Sequence, residues 1–181
     1  MRELSLNVLD IAQNSISAKA SLIEIEVSQS TADNELLIGI YDNGKGMTSE
    51  QVQSVIDPFF TTRTTRKVGL GIPLFKMAAE MTGGSLEVES EVGTGTKVRA
   101  VFKTDHVDFT PIGDLTSTVV ILITMNLHTD FIYKRSLDSK EFTVDTRQLK
   151  EILGDVPLNE PSIVSWLTDY INENTKQLTE V

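Results

Sequence analysis

The chain has no cysteine, so no disulfide framework, thiolate metal site or cysteine nucleophile is open to it. Positive charge is scarce: 16 Lys and Arg stand against 26 Asp and Glu in 181 residues, a formal net of -10 with an isoelectric point near 4.6. A nucleic-acid scaffold needs clustered cations along the phosphate backbone, and this balance argues against one. Long apolar runs are missing too. No segment approaches the ~20 residues of a membrane span, and Met1-Arg2-Glu3-Leu4-Ser5-Leu6-Asn7 interrupts with polar and acidic residues the apolar stretch a signal peptide requires. The expectation is a soluble, cytoplasmic protein without nucleic-acid or membrane partners, built as one domain or as one domain with an appendage.

What the chain does have is glycine in pairs. Asp42-Asn43-Gly44-Lys45-Gly46, Gly69-Leu70-Gly71 and Gly93-Thr94-Gly95-Thr96 fall within one stretch of about half a domain. The first follows a run that reads as a strand, and the second opens a run that reads as a helix. A helix that begins at glycine offers bare N–H groups and a positive dipole end to an anion, with phosphate the natural candidate.

In chain order, Leu4, Val8, Ile11 and Ser15, flanked by Leu9, Ala12 and Ile16, have the spacing of an amphipathic helix. That helix carries Asp10 and Asn14 one turn apart on one face. Residues 22–27 alternate apolar and acidic, residues 36–41 are apolar, and Ala32-Asp33-Asn34 lies between them: a hairpin. Residues 39–45 fit seven positions of the phosphate-loop pattern, but Gly46 replaces the hydroxyl that would ligate magnesium, and the first four belong to the strand. A calcium loop fails because Gly44 stands where an oxygen ligand is needed. Thr48 and Gln51 suit a helix start through Val52, Val55 and Ile56.

Asp57-Pro58-Phe59-Phe60 then leads into Thr61-Thr62-Arg63-Thr64-Thr65-Arg66-Lys67, three cations and four threonines on an otherwise acidic chain. Most charge runs are solvated loops. Its position directly before Gly69 favours a lid whose Arg63, Arg66 and Lys67 meet a polyphosphate. A helix from Ile72 through Phe75 and Ala79 stops at Gly83-Gly84, with Pro73 tolerated in its first turn. Residues 85–89 and 97–102 alternate as strands around Gly93-Thr94-Gly95.

The order of Asn14, Asp42-x-Gly44-x-Gly46, Phe59-Phe60-Thr61-Thr62-Arg63, Gly69-Leu70-Gly71-Ile72 and Gly93-Thr94-Gly95-Thr96 resembles the histidine-kinase-like ATPase superfamily over roughly residues 3–103. Its members include gyrase-type ATPases, heat-shock chaperones, sensor histidine kinases, mismatch-repair ATPases and anti-sigma-factor serine kinases. The resemblance implies a Bergerat-type ATP-binding fold: an α+β, two-layer sandwich of a mixed sheet with helices on one face. It also implies Mg-ATP as ligand. Asp42 matches the carboxylate that accepts from the adenine amino group, a bond worth ~1.5–3 kcal/mol. Thr96 matches the hydroxyl that supports that edge, with Gly44, Gly46 and Gly95 around it. Asn14 matches the amide oxygen on magnesium. Phe60, Thr61, Arg63, Lys67, Gly69, Leu70 and Gly71 match the lid and its passage into the phosphate-wrapping helix.

Asp10 departs from the pattern. Hydrolytic members and serine kinases place a glutamate general base there, and aspartate is one methylene shorter, which suggests a weak base or a water orienter. A self-contained sensor kinase is not expected: His106 and His128 both follow the ATPase stretch. Ser15-Ile16-Ser17-Ala18-Lys19 lacks the Lys-Tyr pair common in histidine kinases and is nearer the Asn-Ser-x-x-Ala of mismatch-repair ATPases. In character the chain is nearest to stand-alone, anti-sigma-factor-type or regulatory ATP-binding proteins.

Residues 104–181 carry a net charge of -7 against -3 for residues 1–103 and read as a small acidic α+β module. Residues 118–125, Thr-Val-Val-Ile-Leu-Ile-Thr-Met, read as a buried strand. Residues 131–134 and 141–144 read as a hairpin, Asp145-Thr146 as the start of a helix ending at Gly154, and Pro161-Ser162 as the start of another. Trp166, in a stripe with Ile163, Leu167, Tyr170 and Ile171, is expected in the core. His128, without a second ligand, is expected to be structural or exposed. Two functions stand open: a slow ATPase or protein kinase acting on a partner protein, or a non-catalytic module whose lid order reports nucleotide to a partner. A homodimer is also open.

Overall fold

The computed structural model describes residues 3–57 and 70–180. Its elements run α1 (Leu4–Ser17), β1 (Leu22–Ser30), β2 (Glu35–Asp42), α2 (Ser49–Ile56), α3 (Gly71–Met81), β3 (Ser85–Glu91), β4 (Gly95–Lys103), α4 (Leu115–Met125), β5 (Asp130–Leu137), β6 (Lys140–Asp145), α5 (Thr146–Leu153) and α6 (Pro161–Thr179). Six strands form one mixed sheet in the order β3-β4-β2-β1-β5-β6. Neighbours are antiparallel except β1 and β5, which run parallel from Leu22 opposite Asp130 to Gln29 opposite Leu137.

Period-two alternation decides which face of the sheet is covered. Ile23, Ile25 and Val27 on β1, Leu36, Ile38 and Ile40 on β2, and Val98, Ala100 and Phe102 on β4 are buried beneath α1, α3, α4 and α6. Each of these side chains other than Ala100 contributes about 1.5–3 kcal/mol by leaving water. Phe75 of α3 packs on Phe102 with ring centroids 5.4 Å apart. On the open face Tyr41 covers Gly39, where a Cβ would fall 2.2 Å from the Tyr41 hydroxyl oxygen. That hydroxyl donates to Glu26 Oε2 at 2.9 Å, and burial together with this bond pushes the phenol up to about 12.

The strands expected at residues 104–181 extend the same sheet as those before them, and a single apolar core runs through both stretches. Residues 118–125 are not a strand but most of α4. Asp114 caps that helix by accepting from the Ser117 amide at 2.9 Å, and α1 and α6 bury its flanks. A β-branched run loses only a few tenths of a kcal/mol per residue in a helix, so packing on three sides overrides propensity. Trp166 is the second correction. The buried spine of α6 is Leu167, Ile171 and Leu178, and Trp166 lies beside it, 48% exposed and stacked on Tyr170 at 5.1 Å. The residues expected to form the lid lie outside the described residues.

Candidate functional site

Helix α1 presents two sides to the site. Asp10 and Asn14, four residues apart, are exposed on one face, while Ser15 is turned inward and only 3% exposed. Ser15 belongs to the same stripe as Leu4, Val8 and Ile11, so its hydroxyl needs a partner inside the fold. It donates to Asp42 Oδ2 at 2.5 Å. The other oxygen of that carboxylate, Oδ1, accepts from the Gly44 N–H at 2.8 Å. Two donors on opposite oxygens hold Asp42 as an acceptor at the end of β2.

The glycines of the first and third boxes clear space around that carboxylate. At Gly44 a Cβ would stand 2.8 Å from the Ala18 carbonyl oxygen and 3.0 Å from Asp42 Oδ1. At Gly95, with φ at +138°, a Cβ would fall 1.9 Å from the Asp42 carbonyl oxygen. Gly46, at φ +71°, meets the Glu91 carbonyl in the same way, so the loop after β2 lies directly against the β3–β4 turn. Thr96 is the ladder partner of Asp42, and its hydroxyl lies 2.8 Å from Ser90 Oγ. Ser90 in turn accepts from the Met47 N–H at 2.8 Å and donates to the Gly95 carbonyl at 3.0 Å. Asn43 points the other way. Its side chain accepts from the Ser21 and Leu22 amides and fastens the loop to the start of β1.

The second box lies at the other end of the site. Gly71 opens α3 with no side-chain cap and no acidic residue in the first turn, so the N–H groups and dipole there suit an anion. A Cβ at Gly71 would stand 3.2 Å from Asp10 Cβ, which sets Asp10 beside that helix start. Leu70 precedes it and is exposed.

Asp42, Gly44, Gly46, Gly95 and Thr96 thus form one cluster, and Asp10, Gly71 and Leu70 another, with Asn14 next in sequence to the Ser15 that touches the first. Phe60, Thr61, Arg63, Lys67 and Gly69 lie outside the described residues. Neither Ser15 nor Ser90 was expected in the site; Ser90 belongs to no motif that the sequence displays, whereas Ser15 is the serine of the Asn14-Ser15-x-x-Ala18 pattern and a polar residue on the apolar stripe of α1. No group of three His, Cys, Asp or Glu that could hold a metal occurs among the described residues. Asn14 offers one hard amide oxygen, a donor set that suits magnesium only when phosphate oxygens supply other ligands.

A mixed sheet of this order with helices packed on it is an α+β sandwich, and Asp42 is a fixed hydrogen-bond acceptor at the end of its β2. The model of the histidine kinase-, DNA gyrase B- and HSP90-like ATPase family matches residues 1–106, and the chain belongs to that family. Curated relatives include sporulation kinase D of Bacillus subtilis, 32% identical over 50% of this chain and 18% of that protein. Sensor histidine kinase ZraS of Klebsiella oxytoca is 30% identical over 52% of this chain and 20% of its own length. The chain therefore spans a fifth or less of these relatives. Among solved structures, the Aquifex aeolicus MutL ATPase domain complexed with ADP aligns with a TM-score of 0.52 at 16% identity, over 84% of this chain and 69% of that one. The N-terminal domain of a DNA repair protein aligns with a TM-score of 0.56, also at 16% identity, over 80% of this chain and 52% of that one. At this identity the likeness is one of fold. No helix among the described residues is long and apolar enough to cross a membrane.

Proposed function

We propose that the chain is a regulatory Mg-ATP-binding protein that works on a partner protein as a slow ATPase or a protein kinase. The observation that carries this reading is the Asp42 carboxylate, fixed by Ser15 and Gly44 and set opposite Thr96. An acceptor held in that way matches the amino edge of adenine and opposes guanine, whose corresponding atom is a carbonyl oxygen.

In this reading the triphosphate lies toward Gly71 and the start of α3, where the positive end of the helix dipole and the Gly71 and Ile72 N–H groups meet its charge. Asn14 would hold magnesium, which when bound draws charge from the phosphates. Asp10, beside Gly71, orients or deprotonates the attacking water or hydroxyl. Residues 61–67 would act as the lid. Residues 1–103 would hold the nucleotide, and residues 104–181 would meet the partner.

A second reading, in which nucleotide is bound but not turned over, draws on the aspartate at position 10. Its stem is a methylene shorter than the usual glutamate, and general-base geometry decides before pKa does.

Calorimetric titration with ATP, ADP and GTP in magnesium, repeated on Asp42→Asn, tests the site. Adenine-selective, magnesium-dependent binding that disappears in the variant is the expected result. Equal binding of ATP and GTP, or ATP binding that survives Asp42→Asn, would overturn it.

A further inference from the structure

Strand β6 ends the sheet, and among the described residues nothing pairs with its outer side. Its hairpin with β5 closes at Leu137 opposite Lys140 around a two-residue turn. From such a closing pair, ladder bonds alternate, so the Arg135–Phe142 and Tyr133–Val144 pairs bond and the backbone groups of Glu141 and Thr143 point outward. Both residues are exposed.

The edge is flanked by a groove of about 540 Å³, walled by Glu141 and Phe142 on one side and Asn174, Gln177 and Leu178 of α6 on the other. Trp166, Tyr170, Glu173 and Gln177 recur at spacings of four, three and four along α6, so they share the side of the helix that borders this groove. The stacked Trp166 and Tyr170 rings therefore continue the groove as an apolar, cation-accepting surface.

Charge selects the occupant. Lys140 is the cation of the groove, and its ammonium is already committed to the Gln177 and Glu180 carbonyls at the end of α6. Two further cations are exposed at the edge, Lys134 opposite Thr143 and Arg147 after the strand, but each is paired, Lys134 with Glu24 and Arg147 with Asp145, so among the described residues the exposed charge there without an ion pair is that of Glu141 and Glu173. A second copy would bring the same acidic groups to the junction.

We propose that the free edge of β6, with the groove beside α6, docks an extended segment of a partner protein that carries alternating Lys or Arg, added as a seventh strand. Backbone bonds to Glu141 and Thr143 supply affinity, and the acidic and aromatic side chains select the sequence. This surface lies apart from Asp42 and does not depend on the nucleotide reading.

The probe is an acetylated peptide alternating Lys and Val, compared with a Glu-for-Lys version and with a version interrupted by proline. Trp166 is the single tryptophan of the chain, so its fluorescence reports binding directly, and amide NMR shifts locate it. The Lys–Val peptide should bind, change the Trp166 emission and move amides at residues 141–145. The proline-interrupted peptide, Thr143→Pro and Glu141→Lys should each weaken binding about tenfold or more, because each removes a strand bond or the selecting charge. Proline is tolerated on an outward-facing edge position, and Glu141→Lys provides an exposed replacement if Thr143→Pro fails to fold. The proposal is overturned by absence of binding, by equal binding of the three peptides, by indifference to both substitutions, or by self-association of the chain that Glu141→Lys abolishes.

Discussion

Ser15 of α1 and Asp42 of β2, 27 residues apart, share a hydrogen bond of 2.5 Å between a buried hydroxyl and a carboxylate. The bond joins the helix that bears Asp10 and Asn14 to the acceptor at the opposite end of the site. Removing it in Ser15→Ala frees the carboxylate to turn. A hydrogen bond to a charged group is worth about 1.5–3 kcal/mol, so ATP affinity should fall about tenfold or more, with some loss of stability. Calorimetry and thermal melting of the variant measure the two effects separately, and unchanged ATP affinity would show that Ser15 serves the fold alone.

Gly93 and Gly95 stand in the same turn yet carry different constraints. Gly93 has φ at +83° with open space around its Cβ position, whereas Gly95 has φ at +138° and the Asp42 carbonyl 1.9 Å away. Alanine at position 93 meets only the left-handed penalty of about 1–2 kcal/mol. Alanine at position 95 must also push β4 from β2 and should cost about 2–4 kcal/mol or more. Urea unfolding of the two variants should separate them clearly, and equal midpoints would contradict the close approach at Gly95.

Asp10→Asn keeps the shape of the side chain and removes its basicity. ADP production, alone or with a partner protein, should fall about 10²-fold or more while ATP binding persists. Wild-type protein that binds ATP and makes no ADP under any condition would favour the second, non-catalytic reading.

Two helix caps make stability depend on acid. Hydrogen bonds from the Ser117 hydroxyl and amide hold the Asp114 carboxyl below its ordinary range, and Arg147 does the same for Asp145 through its guanidinium and its amide. A depressed carboxylate contributes fully above its unfolded pKa of about 3.9, and the contribution is lost as pH falls through the lower folded value. Thermal unfolding should therefore be nearly level above about pH 5 as far as these groups are concerned and decline below pH 4. Asp145→Asn should lower stability at neutral pH and flatten part of the acid decline.

Local chemistry was legible in the sequence. Thr48 and Gln51 form the reciprocal cap that their spacing implies, Asp145 caps α5, and Gly154 follows its end. The hairpin of β5 and β6 and the start of α6 at Pro161 also follow their turn and cap residues. Contacts made across the fold were not legible. Whether residues 118–125 pair as a strand or coil as a helix depends on α1 and α6 lying on either side, which no local pattern encodes. Trp166 shares the spacing of a core stripe with Leu167 and Ile171, but only the position of β5 and β6 decides which edge of that stripe is covered. Within the site, Asp42 and the glycines were visible as motifs, while Ser15, though part of the Asn14-Ser15-x-x-Ala18 pattern, gave no sign that its hydroxyl reaches Asp42.

The parallel pairing of β1 with β5 has a consequence for how the chain is made. During synthesis β1 and β2 emerge early, and β4 follows, yet the other edge of β1 waits until residues 130–137 leave the ribosome. Throughout that interval Ile23, Ile25 and Val27 belong to a strand with one free edge, a template for pairing with any neighbouring chain. Residues 130–137 close that edge once they pair with β1, so a nascent chain stalled after Lys103 should aggregate more readily than one extended past Leu137.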